Sequence, residues 1–239
     1  KTTTLYATLR HLASPEVNIC TIEDPIEMVE PAFNQMQVQP QIDLHFASGV
    51  RALLRQDPDI IMIGEIRDLE TAEIAIQAAL TGHLVLSTLH TNDAPSAISR
   101  LLELGVAPYL IRATLLGVMA QRLVRTLCPH CKAPAAVDEA AWTDLTRPWR
   151  AAPPRQICAP AGCLSCRNTG YLGRSGVYEI MPMSTRLRDQ VQDNLSLDLL
   201  RQDAYKEGMK SLRLSGAHKV ANGQTTIEEI LRVTPPSQR

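Results

Sequence analysis

The chain has 239 residues, 45% of them apolar and 21% charged, with 24 basic side chains against 25 acidic ones. That much apolar surface excludes disorder for most of its length. A net charge of −1 lacks the basic excess with which nucleic-acid binders neutralise phosphates, so DNA or RNA is not expected as the principal ligand.

In chain order, Thr2 to His11 reads as a helix and Val17 to Ile22 as a short buried strand between Pro15 and Pro25. Phe46 to Arg55 has helical spacing. Asp59 to Gly64 is apolar on both faces, as a parallel strand is. The Ala-rich Leu69–Leu80 is a helix and His83 to Leu89 a third strand. Two more helices are expected at Ala94–Leu104, stopped by Gly105, and at Pro108–Leu123. Alternating strands and helices imply a parallel sheet covered by helices, an α/β fold. The most apolar stretch, Tyr109–Leu123, contains Arg112 and Arg122 and falls short of the ~18 uninterrupted apolar residues of a membrane span. No signal-peptide pattern opens the chain, so the cytoplasm is the expected compartment.

From Cys128 to Arg174, Pro and Cys become frequent and periodicity weakens. Arg147 to Pro154 cannot be a continuous helix. A strand at Gly176–Met181 follows, then helical segments at Leu187–Gln192, Leu197–Glu207, Ser211–Ala221 and Thr226–Val233, and a tail at Pro235–Arg239 expected to fray. The expected organisation is a core at 1–127, an insert at 128–174 and a strand with helices at 175–239.

Chemistry concentrates at strand ends. Lys1-Thr2 opens the first helix, where the end of a phosphate-binding G-x-x-x-x-G-K-[ST] loop would stand, its Lys on phosphates and its hydroxyl on Mg²⁺. Without the glycine turn, the 239-residue chain alone is expected to show no turnover. The strand ending Gly64-Glu65-Ile66-Arg67-Asp68 delivers a carboxylate to the edge where open α/β sheets bind ligands. Thr21-Ile22-Glu23-Asp24-Pro25-Ile26-Glu27 puts two adjacent acids at another strand end, a candidate general base or an ordinary turn. Gly82 to Asn92 carries His83 and His90; a lone His is more often a satisfied structural residue. Cys128-Pro129-His130-Cys131 and Cys163-Leu164-Ser165-Cys166 form two C-x-x-C knuckles, the four-thiolate pattern of tetrahedral zinc. Cys158 and His130 are spare ligands, and Cys20, inside a strand, reads as buried core. Four thiolates closing a loop with little apolar sequence would make that insert depend on the metal.

Taken together, these motifs resemble the secretion ATPase superfamily over roughly Lys1 to Val233. Thr21–Glu27 is similar to its aspartate box, Gly64–Asp68 to its atypical Walker B and Gly82–Asn92 to its histidine box. The resemblance implies a RecA-like P-loop ATPase core with a tetracysteine zinc insert and a small C-terminal helical region. It further implies a homo-hexamer that uses ATP, Mg²⁺ and Zn²⁺ and docks peripherally on inner-membrane platform proteins. Glu65 would then be the principal catalytic carboxylate and Glu23 its assistant. Lys1, Thr2, Arg67, His83 and His90 would face nucleotide, with Arg51 and Arg55 nearby. With the four cysteines present, the resemblance implies an export or assembly motor, since relatives that retract pili usually lack them. Leu116 to Cys128 looks nearer to type II secretion than to type IV pilus assembly, the alternative. A zinc-ribbon interaction module and a RecA-like helicase are the rival classes. The balanced charge disfavours the first, and the cysteines with the histidine-box wording disfavour the second.

Overall fold

The computed structural model describes residues 1–236. Its elements run α1 (Thr2–Leu12), β1 (Ile19–Glu23), β2 (Asn34–Gln37), α2 (Phe46–Leu53), β3 (Ile60–Ile63), α3 (Leu69–Leu80), β4 (Leu84–Ser87), α4 (Pro95–Glu103), α5 (Pro108–Thr114) and β5 (Gly117–Leu127). Then follow β6 (Ala133–Ala135), α6 (Glu139–Thr146), β7 (Ile157–Ala159), β8 (Tyr171–Pro182), α7 (Thr185–Asp189), α8 (Leu197–Lys206), α9 (Leu212–Ala221) and α10 (Ile227–Val233). They group into two compact units. One comprises residues 1–90, 97–116 and 183–196, the other residues 91–96, 117–182 and the chain from Leu197 on.

The first unit is built on a parallel sheet in the order β2-β1-β3-β4. Its inner strands are apolar on both faces, so both must be covered. Ile19, Ile60 and Met62 pack with Tyr6 and Leu9 of α1, while Cys20, Ile22, Ile61 and Ile63 pack with Val50 and Leu53 of α2 and Ile74, Ala75 and Ala78 of α3. Gly49 is the price of that closeness: a Cβ there would stand 1.9 Å from Ile22 Cδ1. Cys20 is fully buried core, as expected. The polar Asn34–Gln37 gave no strand signal; it pairs at the sheet edge, where only one neighbour is needed.

The expected helix Pro108–Leu123 is corrected. It stops at Thr114, and Gly117–Leu127 is a strand paired antiparallel with β8 from Gly117↔Pro182 to Leu127↔Tyr171. Inward Ala120 and Val124 alternate with outward Met119, Leu123 and Arg125, a period of two that leucine-rich helix propensity masks. β8 is longer than the Gly176–Met181 expected because its pairing with β5 runs on to Tyr171, and β5 groups with the second unit. The segment expected at Leu187–Gln192 is the shorter helix α7. Thr226 caps α10 by accepting from the Glu229 amide at 3.2 Å, as its sequence suggests.

In the second unit the cysteine-rich segment holds more core than its sequence suggested. Trp142, Leu145 and Thr146 of α6 are buried, Trp142 Nε1 donates to the Ala151 carbonyl at 2.8 Å, and Arg213 pairs with Asp144 at 2.7 Å. Of the tail, the Pro235 carbonyl accepts from Arg213 Nε at 2.9 Å, and Ser237–Arg239 lie outside the described residues.

Candidate functional site

The C-terminal edge of the parallel sheet collects the charged residues. β3 ends at Ile63, and Gly64 continues it by donating its amide to the Ile22 carbonyl at 2.8 Å. A Cβ on Gly64 would lie 3.3 Å from that carbonyl oxygen and 3.5 Å from Glu23 Cα, both backbone atoms with little room to give, which is why glycine stands before Glu65. Thr88 ties the end of β4 to the same turn: its hydroxyl donates to the Gly64 carbonyl at 2.8 Å, and its carbonyl accepts from the Ile66 amide at 3.0 Å.

Glu65 emerges there with its side chain 13% exposed, in an ion pair with Arg67 and 3.3 Å from His90 Nε2. Burial raises its pKa, but the hydrogen bonds and charges of Arg67 and then His90 outweigh that and hold the carboxyl below its ordinary range. Arg67 is raised in turn, chiefly by its bond to Glu65. Lys1 Nζ donates to the Leu89 carbonyl at 2.6 Å, one residue from His90. Thr2 is the first residue of α1. An ionised carboxylate, an imidazole and an ammonium on one sheet edge suit a polyanion and its divalent cation.

Not every polar residue of these motifs is free to face that edge. His83 precedes β4, at the opposite edge of the sheet, roughly 13 Å of strand away. Its Nδ1 contacts the Ala78 carbonyl at 2.8 Å and Thr81 Oγ1 at 3.1 Å, so it closes the end of α3. Asp68 is the N-cap of α3, accepting from the Thr71 amide at 2.8 Å. Arg51 pairs with Glu70 at 3.0 Å on the surface. Glu23 stands at the right edge but is buried, its carboxylate held by Thr21, Tyr6 and Gln35. Tyr6 and Gln35 escaped the sequence reading. Only the burial spacing of Tyr6 and Leu9 on α1 hinted at the first.

The four cysteines converge. Thiolates at 2.3 Å from a tetrahedral zinc are separated by about 3.8 Å. Cys128–Cys163 are 3.9 Å apart, Cys131–Cys166 3.8 Å and Cys163–Cys166 3.8 Å, and all four sulfurs lie within 4.8 Å of one another. Amides of Cys163 and Gly170 donate to Cys166 Sγ at 3.3 and 3.2 Å, and Gly162 donates to Cys131 Sγ at 3.3 Å. Burial raises the Cys166 thiol, yet these amides and the neighbouring thiols bring it down to about 6, while burial first pushes Cys131 up to about 11. The set fits zinc. Cys158 and His130 are not in it; Cys158 lies against Gly223 instead.

Residues 1–232 match the family model described as "Type II/IV secretion system protein". The chain belongs to this family. Among curated members it is 60% identical over 235 residues to the type IV pilus assembly ATPase TfpB of Acinetobacter baylyi, covering 98% of this chain and 40% of that protein. It is 51% identical over 234 residues to the type II secretion system protein HxcR of Pseudomonas aeruginosa, covering 98% and 46%. The chain thus spans less than half of either relative. Among solved structures it is similar to the pilus retraction motor PilT with bound ADP, at a TM-score of 0.71 and 27% identity, over 99% of this chain and 58% of that one. The α/β fold with its parallel sheet is therefore that of secretion and pilus ATPases. No helix of the described residues is long and apolar enough to cross a membrane.

Proposed function

We propose that this chain is part of an ATP-hydrolysing motor subunit that powers type II secretion, acting as a homo-hexamer held peripherally on inner-membrane platform proteins. The observation that carries the reading is Glu65, kept ionised between Arg67 and His90 at the sheet edge that Lys1 also reaches. Lys1 and Thr2 would hold the phosphates, and Mg²⁺, when bound, neutralises charge on the transferring phosphoryl group. Glu65 would orient and polarise the attacking water, with His90 fixing the carboxylate from the other side. Glu23 would act from the adjacent strand end. Zinc, when bound, ties the two cysteine knuckles into one module and does no chemistry on nucleotide. A second reading, type IV pilus assembly, has its own support in the 60% identity to TfpB.

The full-length protein should release phosphate from ATP in a Mg²⁺-dependent manner, and Lys1→Ala should abolish this. A full-length protein that binds no nucleotide and turns over none contradicts the motor reading. Deleting the gene separates the branches: lost export with intact pili supports secretion, and lost pili with intact export supports assembly.

A further inference from the structure

We infer that the Tyr6 hydroxyl, seated by Gln35, is a positioning group for the Glu23 carboxylate and couples α1 to the end of β1. The inference deepens the ATPase reading and rests on it.

The packing of Tyr6 does not require a hydroxyl. Its ring is buried beside Leu9, with its centroid 5.8 Å from that of Phe33, and a phenylalanine would fill the same space. The oxygen is what packing leaves unexplained. It carries one proton and faces three acceptors: Glu23 Oε1 and Oε2 at 2.8 Å each, and the Met28 carbonyl at 2.9 Å. Gln35 Nε2, with two hydrogens, reaches Tyr6 Oη at 2.7 Å and the Met28 carbonyl at 2.9 Å, both shorter than its 3.3 Å contact with Glu23 Oε1. A carboxylate is the stronger acceptor. The consistent assignment therefore gives the Tyr6 proton to Glu23, while the two Gln35 hydrogens go to Met28 and to the Tyr6 oxygen.

The rest of the network closes around this choice. Thr21 Oγ1 donates to Glu23 Oε1 at 2.7 Å, and Gln35 Oε1 accepts from the Glu30 amide at 2.7 Å. Among the described residues Oε2 has Tyr6 alone as a donor, so the hold on this oxygen rests on that hydroxyl. Burial first, and then Glu23 itself, raise the Tyr6 pKa, which keeps the hydroxyl a donor. Tyr6 lies about one helical turn from Thr2 on α1, the helix whose start carries the phosphate-binding pair. A shift of α1 thus moves the donor on which the orientation of Glu23 depends.

The test uses the full-length protein and its Tyr6→Phe, Glu23→Gln and doubly substituted forms. Tyr6→Phe should lower kcat about tenfold, the loss of one hydrogen bond to a charged group. It should leave KM and the calorimetric affinity for a non-hydrolysable ATP analogue unchanged. Glu23→Gln should lower kcat at least as far, and adding Tyr6→Phe to it should cost nothing more, because one residue acts through the other. Unchanged kcat in Tyr6→Phe, or multiplied losses in the double variant, would overturn the inference. If Tyr6→Phe does not fold, Gln35→Met must show the same split between kcat and KM, and an unchanged kcat there overturns it equally. A parent protein with no turnover overturns the ATPase reading as well; an active parent with an indifferent Tyr6→Phe overturns this inference alone.

Discussion

Glu229 places one buried carboxylate between two guanidiniums. It accepts from Arg125 Nε and Nη2 at 3.0 and 2.8 Å, from the Arg125 amide at 3.0 Å, and from Arg232 at 2.8 and 3.1 Å. Burial raises its pKa, but the Arg232 and Arg125 hydrogen bonds prevail and bring it down to about 2 from an ordinary 4.5. A carboxyl depressed by folding stabilises above its unfolded pKa, and that contribution drains away as pH falls through the folded value. Glu229→Gln should therefore cost about 1–3 kcal/mol in urea unfolding at neutral pH. The gap to the parent should close as pH falls from 4.5 toward 2; a gap constant with pH contradicts this. Legibility differs sharply between single residues. Glu65 was readable because a buried strand must end in something solvated, and Gly64 before it marked a close backbone approach. His83 misled because it stands in the same apolar segment as His90, yet the intervening strand carries the two to opposite edges. Two partners of Glu23, Tyr6 and Gln35, were unreadable because they come from α1 and β2, which only the fold brings together.

Among the elements, those set by local pattern were legible and those set by distant pairing were not. α3 matches its expected limits because Asp68 caps it and its alanines favour a helix. β5 was missed because its partner β8 lies far along the chain, and pairing overrides propensity. The cysteine segment combines the two cases. Its knuckles follow from C-x-x-C spacing, but α6 with buried Trp142 and Leu145 gives the segment packing of its own, so metal is not its whole support. Freshly purified, never-chelated protein should carry one zinc per chain. After chelation, proteolysis should speed up around the knuckles, residues 128–137 and 158–170, and spare the parallel sheet. Zinc well under half an equivalent, or protease resistance indifferent to chelation, contradicts the zinc assignment.

At the scale of the whole molecule, the sequence shows a fixed order of strand-end motifs, and the sheet order β2-β1-β3-β4 turns that order into proximity. Parallel strands share one C-terminal edge, so residues far apart in sequence, Lys1, Glu65 and His90, meet there without any local signal for the meeting. In the proposed motor, ATP is hydrolysed at this edge through Glu65. The most direct measurement compares the full-length protein with its Glu65→Gln form, which loses the charge and keeps the shape. Turnover should fall at least about a hundredfold, the scale of a lost catalytic base, while a non-hydrolysable ATP analogue still binds within a few-fold of the parent. Hydrolysis near the parent rate would contradict it, and Glu23 would take the place of Glu65 as the catalytic carboxylate.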